Sequence, residues 1–124
     1  MTVVDTSVLI DVLRGKSAAA DVLRNALRAG PLHGSEITRL EVLAGMRTDE
    51  RAPTLGLLDI LTWHPLDQRL AELAGELGRR WLPGNRGIDT ADLAIAATTV
   101  ALDAPLLTCN VKHFPMFPEL APPY

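Results

Sequence analysis

Short apolar segments alternate along this chain with longer stretches whose apolar residues recur every three or four positions, and that alternation limits the fold more than any other feature of the sequence. The short pieces are residues 2–4, 32–33, 61–63 and 106–108, each bounded by turn-forming residues and each read as a buried strand. Between them, Leu66, Leu70, Leu73, Ala74, Leu77 and Trp81 step by three and four, with Asp67, Arg69, Glu72, Glu76 and Arg79 on the other faces, which predicts a helix over 66–81. A second helix is expected over 17–29, with Ser17 as N-cap and Gly30-Pro31 as its stop. A third follows Ser35, carries Ile37, Leu40, Leu43 and Ala44 on one side and ends at Gly45; a fourth follows Pro53, over 54–61. Leu and Ala supply 37 residues against 13 for Val and Ile, so helix should dominate. Strands separated by helices require crossover connections, and therefore a parallel sheet in an α/β fold.

With 124 residues, the chain fits one domain over 1–124, and the 82–87 loop is its longest internal linker. The tail from Phe114 to Tyr124 holds four prolines and should wrap the surface without continuing a helix. The single cysteine, Cys109, excludes an internal disulfide. The apolar runs fall short of the roughly 18 residues that span a bilayer, and the stretch Met1-Thr2-Val3-Val4-Asp5 lacks a cationic leader region, so the expectation is a cytoplasmic chain without membrane contact. A net charge of -3 argues against binding nucleic acid through a general basic excess.

Four segments place polar groups where a core-building sequence would not. Asp5 directly follows the first strand and precedes Thr6-Ser7 and the helical run Val8-Leu9-Ile10, which puts it at the carboxyl edge of a parallel sheet, where ligands bind. It is alternatively a cap for the helix that follows. Glu41 lies on or beside the apolar stripe of its helix and must find a metal, a raised pKa or a cation such as Arg39 or Arg47. Asp89 and Asp92 open an apolar helix that only Thr98 and Thr99 interrupt between Leu93 and Leu102. Asp89 fits an N-cap with Asp92 as its reciprocal partner, while Asp92 sits further in, on the buried side. Asn110 falls just past the last strand, either at the ligand edge or making its own turn, and His113 reads as a surface or satisfied residue.

A parallel sheet would bring Asp5, Asp92 and Asn110 to one edge, with Glu41 above them. Carboxylates packed together repel unless a cation neutralises them. Oxygen ligands favour Mg²⁺ or Mn²⁺ over Zn²⁺, and hard divalent ions on carboxylates serve phosphoryl chemistry.

In order and spacing, Val3-Val4-Asp5-Thr6-Ser7-Val8-Leu9-Ile10, the mid-chain Glu41, Asp92-Leu93-Ala94-Ile95-Ala96-Ala97-Thr98 and Thr108-Cys109-Asn110-Val111-Lys112-His113-Phe114 resemble the PIN-domain ribonucleases, and within them the VapC-type toxins of bacterial toxin–antitoxin pairs. The resemblance covers nearly the whole chain. It implies a three-layer α/β sandwich with a short central parallel sheet, an acidic pocket for Mg²⁺ or Mn²⁺, and endonucleolytic cleavage of RNA. The family's three acids carry onto Asp5, Glu41 and Asp92, which would hold the metal and act in catalysis, with Asp89 and Asn110 as further candidates. Thr6 and Ser7 would position Asp5 from behind. Where many relatives carry a fourth acid in the last turn, this sequence has Asn110, and His113 stands where an Asp often precedes the Phe.

The resemblance also implies a VapB-type antitoxin as partner, covering the acidic groove, and a homodimer. Arg79, Arg80 and Arg86 flank the loop before Asp89 and could grip an RNA backbone, or form an ordinary solvated surface. Two rival readings remain. A phosphotransfer domain with Asp5 as nucleophile lacks a second Asp at position 7, which is Ser. A non-catalytic PIN-like scaffold that binds RNA or protein is kept open by Asn110 and His113. With Asp5, Glu41, Asp89 and Asp92 set aside, 11 acidic residues stand against 12 basic ones, so the net charge is better read as the mark of a metal site.

Overall fold

A computed structural model describes all 124 residues. Four strands, β1 (Thr2–Val4), β2 (Leu32–Ser35), β3 (Leu61–His64) and β4 (Leu106–Leu107), form one sheet in the order β3-β2-β1-β4. Every pairing is parallel, with Thr2 opposite Leu32, Val3 opposite Leu106, and Leu32 opposite Leu61. Six helices connect and cover them: α1 (Thr6–Leu13), α2 (Ser17–Ala29), α3 (Glu36–Ala44), α4 (Arg51–Leu58), α5 (Gln68–Trp81) and α6 (Thr90–Leu102). The α/β sandwich expected from the sequence is the fold observed.

Alternation along the central strand makes the sandwich three-layered. Val4 points into a core with Val8, Leu9, Leu23, Leu32, Val42, Leu58 and Leu61, drawn from the sheet and α1 to α4. Val3 points the other way, into a core with Ile95, Ala96, Leu106 and Phe114. Both valines are fully buried, so the two positions before Asp5 take apolar residues, while the polar Thr2 stands at the partly exposed start of the strand. Helix α6 is covered on all sides from Asp92 to Thr99, and its two buried threonines are satisfied within the helix, Thr98 donating to the Ala94 carbonyl and Thr99 to that of Ile95.

Several helix boundaries and faces differ from the sequence expectation. Ser17 is the first helical residue of α2 and Lys16 occupies the cap, without a side-chain bond. Helix α5 starts at Gln68, because Asp67 accepts a 2.9 Å bond from the Leu70 amide and so caps the helix there; Leu66 lies outside it and is exposed. Helix α4 begins two residues before Pro53, whose missing N–H is harmless in a first turn. On α3 the buried side is Thr38 and Val42, whereas Leu40 and Leu43 are exposed. Hydrophobic periodicity marks α3 as amphipathic, but neighbouring elements decide which side they cover. The tail wraps the surface as expected and ends with the Tyr124 hydroxyl donating a 2.7 Å bond to Asp11. No helix is long and apolar enough to cross a membrane.

Candidate functional site

In the order β3-β2-β1-β4, the chain runs outward from β1 in both directions, and the crevice of an open parallel sheet opens at the carboxyl ends of the strands flanking such a reversal. Asp5 follows β1 immediately, and Thr108 follows β4 immediately. Asp5 is 3% exposed. Its backbone occupies the N-cap position of α1, but its carboxylate makes no capping bond. Both its hydrogen bonds converge on Oδ2 instead, from the Ser7 hydroxyl at 2.8 Å and the Thr108 hydroxyl at 2.7 Å, leaving Oδ1 available. The capping alternative for its side chain is therefore wrong, and the carboxylate is held for another purpose.

The hydroxyls that hold Asp5 are themselves held. Ser7 Oγ accepts from the Cys109 amide at 3.1 Å, and Thr108 Oγ1 accepts from the Asn110 amide at 2.9 Å. The strand end after β4 is thereby tied to the start of α1. Asn110 is exposed and makes no capping bond with its own side chain; the turn is formed by Thr108. Sequence reasoning gave Thr108 no role. A hydroxyl residue directly after a short apolar strand was the signal available.

Glu41 is half-buried on α3, and Thr6 donates to its Oε1 at 2.7 Å, with the Thr38 hydroxyl 3.1 Å from that of Thr6. Neither cation expected for Glu41 pairs with it: Arg39 pairs with Glu36 and lies over the Trp63 ring, and Arg47 forms no ion pair with it. Thr6 therefore positions Glu41 and Ser7 positions Asp5, which divides between two acids a task the sequence assigned to one.

Asp92 is 7% exposed, in the first turn of α6. Its Oδ2 accepts the Asp89 amide at 3.0 Å, and Asp89 Oδ1 accepts the Asp92 amide at 2.9 Å, the reciprocal cap expected from the spacing. Asp89 itself is exposed, with one oxygen committed to this cap. Burial, reinforced by the Asp89 charge, pushes the Asp92 carboxyl up to about 6, against the opposing pull of the Asp89 amide and of His113. His113 Nδ1 lies 3.2 Å from Asp92 Oδ2, so this residue faces the site.

Asp5 and Glu41 form no ion pair, and Asp92 has only His113; the Lys and Arg ion pairs are Arg14–Glu50, Lys16–Asp11, Arg24–Asp21, Arg39–Glu36 and Arg79–Glu76. Buried carboxylates without cations suit a divalent metal, for which oxygen donors are the natural set. No three His, Cys, Asp or Glu side chains, Asp5, Glu41 and Asp92 included, stand as a group that could hold a metal ion between them. An ion taken up by one or two of these carboxylates would complete its shell with water and phosphate oxygens, as Mg²⁺ commonly does. Arg79, Arg80 and Arg86 are all exposed; Arg79 contacts Glu76 and Arg80 lies 5.2 Å from the centre of the Trp81 ring. A groove of about 490 Å³ lies at the other end of β4, between Ala104–Leu106 and Met116–Ala121; it is mainly apolar and contains none of these acids.

The chain is 43% identical to Ribonuclease VapC19 of Mycobacterium tuberculosis, with both chains covered completely. It is 42% identical to Ribonuclease VapC10 of the same organism, covering all of this chain and 93% of that protein. Among solved structures, a toxin–antitoxin complex from Klebsiella pneumoniae superposes with a TM-score of 0.80 at 26% identity, over 100% of this chain and 98% of that one. The family model for the PIN domain matches residues 2–117. By this match over nearly its whole length and by its identity to full-length relatives, the chain belongs to the PIN-domain family.

Proposed function

We propose that this protein is an endoribonuclease and the toxin of a toxin–antitoxin pair, acting in the cytoplasm on RNA phosphodiester bonds at an acidic site that uses Mg²⁺ or Mn²⁺. What supports this reading is that two carboxylates, Asp5 after β1 and Asp92 in the first turn of α6, are buried with no Lys or Arg paired to them. The full-length relatives named as ribonucleases support it. Asp5 and Asp92 would hold the ion, with Glu41 completing the shell or orienting the attacking water. When bound, a divalent ion supplies positive charge to the phosphate and acidifies the water that attacks it.

The chain's own residues do the positioning. Ser7 and Thr108 fix Asp5 through one oxygen, so its other oxygen keeps a constant direction. Thr6 restrains Glu41, and the Asp89 amide restrains Asp92. Water attack in line with the leaving oxygen leaves a 5′-phosphate and a 3′-hydroxyl. Arg79, Arg80 and Arg86 offer exposed charge for the RNA backbone.

The partner on this reading is a VapB-type antitoxin, in keeping with the likeness to a toxin–antitoxin complex. A homodimer is supported by the packed helices α3 and α4, which leave Leu40, Leu43 and Leu55 exposed. The test is cleavage-site mapping on total RNA with Mg²⁺ or Mn²⁺, comparing the native chain with Asp5→Asn. Specific cuts with free 3′-hydroxyls, lost in a folded Asp5→Asn protein, are expected. Absence of specific products from the native chain would favour the non-catalytic scaffold.

A further inference from the structure

Asp92 is approached from two directions. From its own helix, the Asp89 amide fixes Oδ2 at 3.0 Å. From the turn after β4, His113 Nδ1 stands 3.2 Å from the same oxygen. That turn is firmly placed: the His113 amide bonds the Asn110 carbonyl at 2.9 Å, the Asn110 amide bonds Thr108, and Thr108 bonds Asp5. The neighbouring Phe114 is 1% exposed in the core. The strand end that fixes Asp5 therefore also delivers the imidazole to Asp92.

We propose that His113 Nδ1 is a nitrogen ligand of the divalent ion held by Asp92, and that this donor biases the site toward Mn²⁺ over Mg²⁺. The inference rests on the acidic metal site proposed above. Two donors at right angles on one ion, each about 2.1 Å from it, stand about 3 Å apart. The observed 3.2 Å separation matches adjacent positions in one coordination shell. Neutral imidazole offers a lone pair at one ring nitrogen, and its affinity for Mn²⁺ exceeds that for Mg²⁺, which prefers an all-oxygen shell. The His113 side chain is 39% exposed, so water and a substrate phosphate can supply the remaining ligands, and a closed protein cage is unnecessary.

The competing arrangement is an ordinary ion pair in which Nδ1–H donates to Asp92 and never meets the metal. Titration of the full-length chain with MnCl₂, followed by electron paramagnetic resonance, separates the two, because a directly bound imidazole modulates the Mn²⁺ electron-spin echo through its ¹⁴N nucleus. The native protein should show this coupling. His113→Gln and His113→Asp, verified as folded by circular dichroism, should abolish it. His113→Gln should weaken Mn²⁺ binding about tenfold or more while changing Mg²⁺ binding far less. His113→Asp, which restores an oxygen donor, should narrow the preference for Mn²⁺ over Mg²⁺. Saturable Mn²⁺ binding that is lost in Asp92→Asn but lacks ¹⁴N coupling in the native protein would overturn the ligand assignment and leave the metal site standing. Coupling that persists in His113→Gln would do the same, by implicating His33 or His64. No saturable Mn²⁺ binding by the native chain would remove the metal site and this inference together.

Discussion

Thr108 and Asp5, separated by 103 positions in the sequence, are joined by a buried 2.7 Å hydrogen bond that ties the end of the last strand to the acid following the first. The bond holds the carboxylate without giving it a positive partner. It is the geometric basis for treating this edge as a site rather than as a packing detail.

Removing that hydroxyl should loosen Asp5. Thr108→Val keeps the side-chain volume but deletes a hydrogen bond to a charged group, which contributes about 1.5–3 kcal/mol. RNA cleavage should fall about 10–100-fold, the range seen when a metal ligand loses its support. Thr108→Ser should retain most activity. Initial rates on a defined RNA, with thermal melts of each variant, provide the check.

Asp92 makes stability depend on pH. Its folded pKa of about 6 lies above the ordinary aspartate value of about 3.9, so between these limits the folded state holds a proton that the unfolded state has released. The contribution is fully present below about pH 4 and is lost as pH rises through about 6, an effect on the order of 2 to 3 kcal/mol. Without added metal, the native protein should lose stability relative to Asp92→Asn as pH rises from 4 to 7. Mn²⁺ should restore stability at pH 7, by about 2.7 kcal/mol at a hundredfold excess over Kd, and EDTA should reverse it. Denaturant unfolding curves at stepped pH measure both effects.

Phe114 anchors the turn that carries Asn110 and His113. Phe114→Ala should cost about 3–5 kcal/mol, since a fully buried ring is removed from a packed core. At temperatures where the variant remains folded, cleavage should fall as well, because the turn loses its anchor. Chemical denaturation and cleavage at 15 °C, well below the melting transition, separate the two losses.

Gly34 on β2 is required by close approach rather than by a turn. A Cβ there would come 2.6 Å from Cζ3 of Trp63 and 3.2 Å from Cδ2 of Leu61. The Trp63 ring cannot easily retreat, because its Nε1 donates to the Leu58 carbonyl at 2.9 Å and Arg39 lies over it at 4.7 Å. Gly34→Ala should therefore destabilise by about 1–3 kcal/mol, read as a lower denaturation midpoint, with residual cleavage chemistry intact in the folded fraction.

The placement of Asp5 after an apolar strand, and of Asp89 and Asp92 at the head of a buried helix, was legible in the chain because strand alternation, helical periodicity and capping are local rules. The faces of α3 and the start of α5 were not, because a repeat of three and four residues shows that a helix has two sides without saying which side a neighbour will cover. His113 fits the surface or satisfied residue expected of it, but its partner was not legible. A single histidine has no periodic signature, and its meaning comes from Asp92, which reaches it from a different segment.

The sequence by itself determined the parallel α/β class, the order of the elements, and which acids stand at strand and helix ends, since all of these follow from short-range physics. Only the tertiary structure decided that Thr108 holds Asp5, that Thr6 holds Glu41, that Arg39 turns to Glu36, and that His113 meets Asp92. Those choices depend on side chains from different elements competing for the same partners, and the competition is settled only when the sheet and helices pack together.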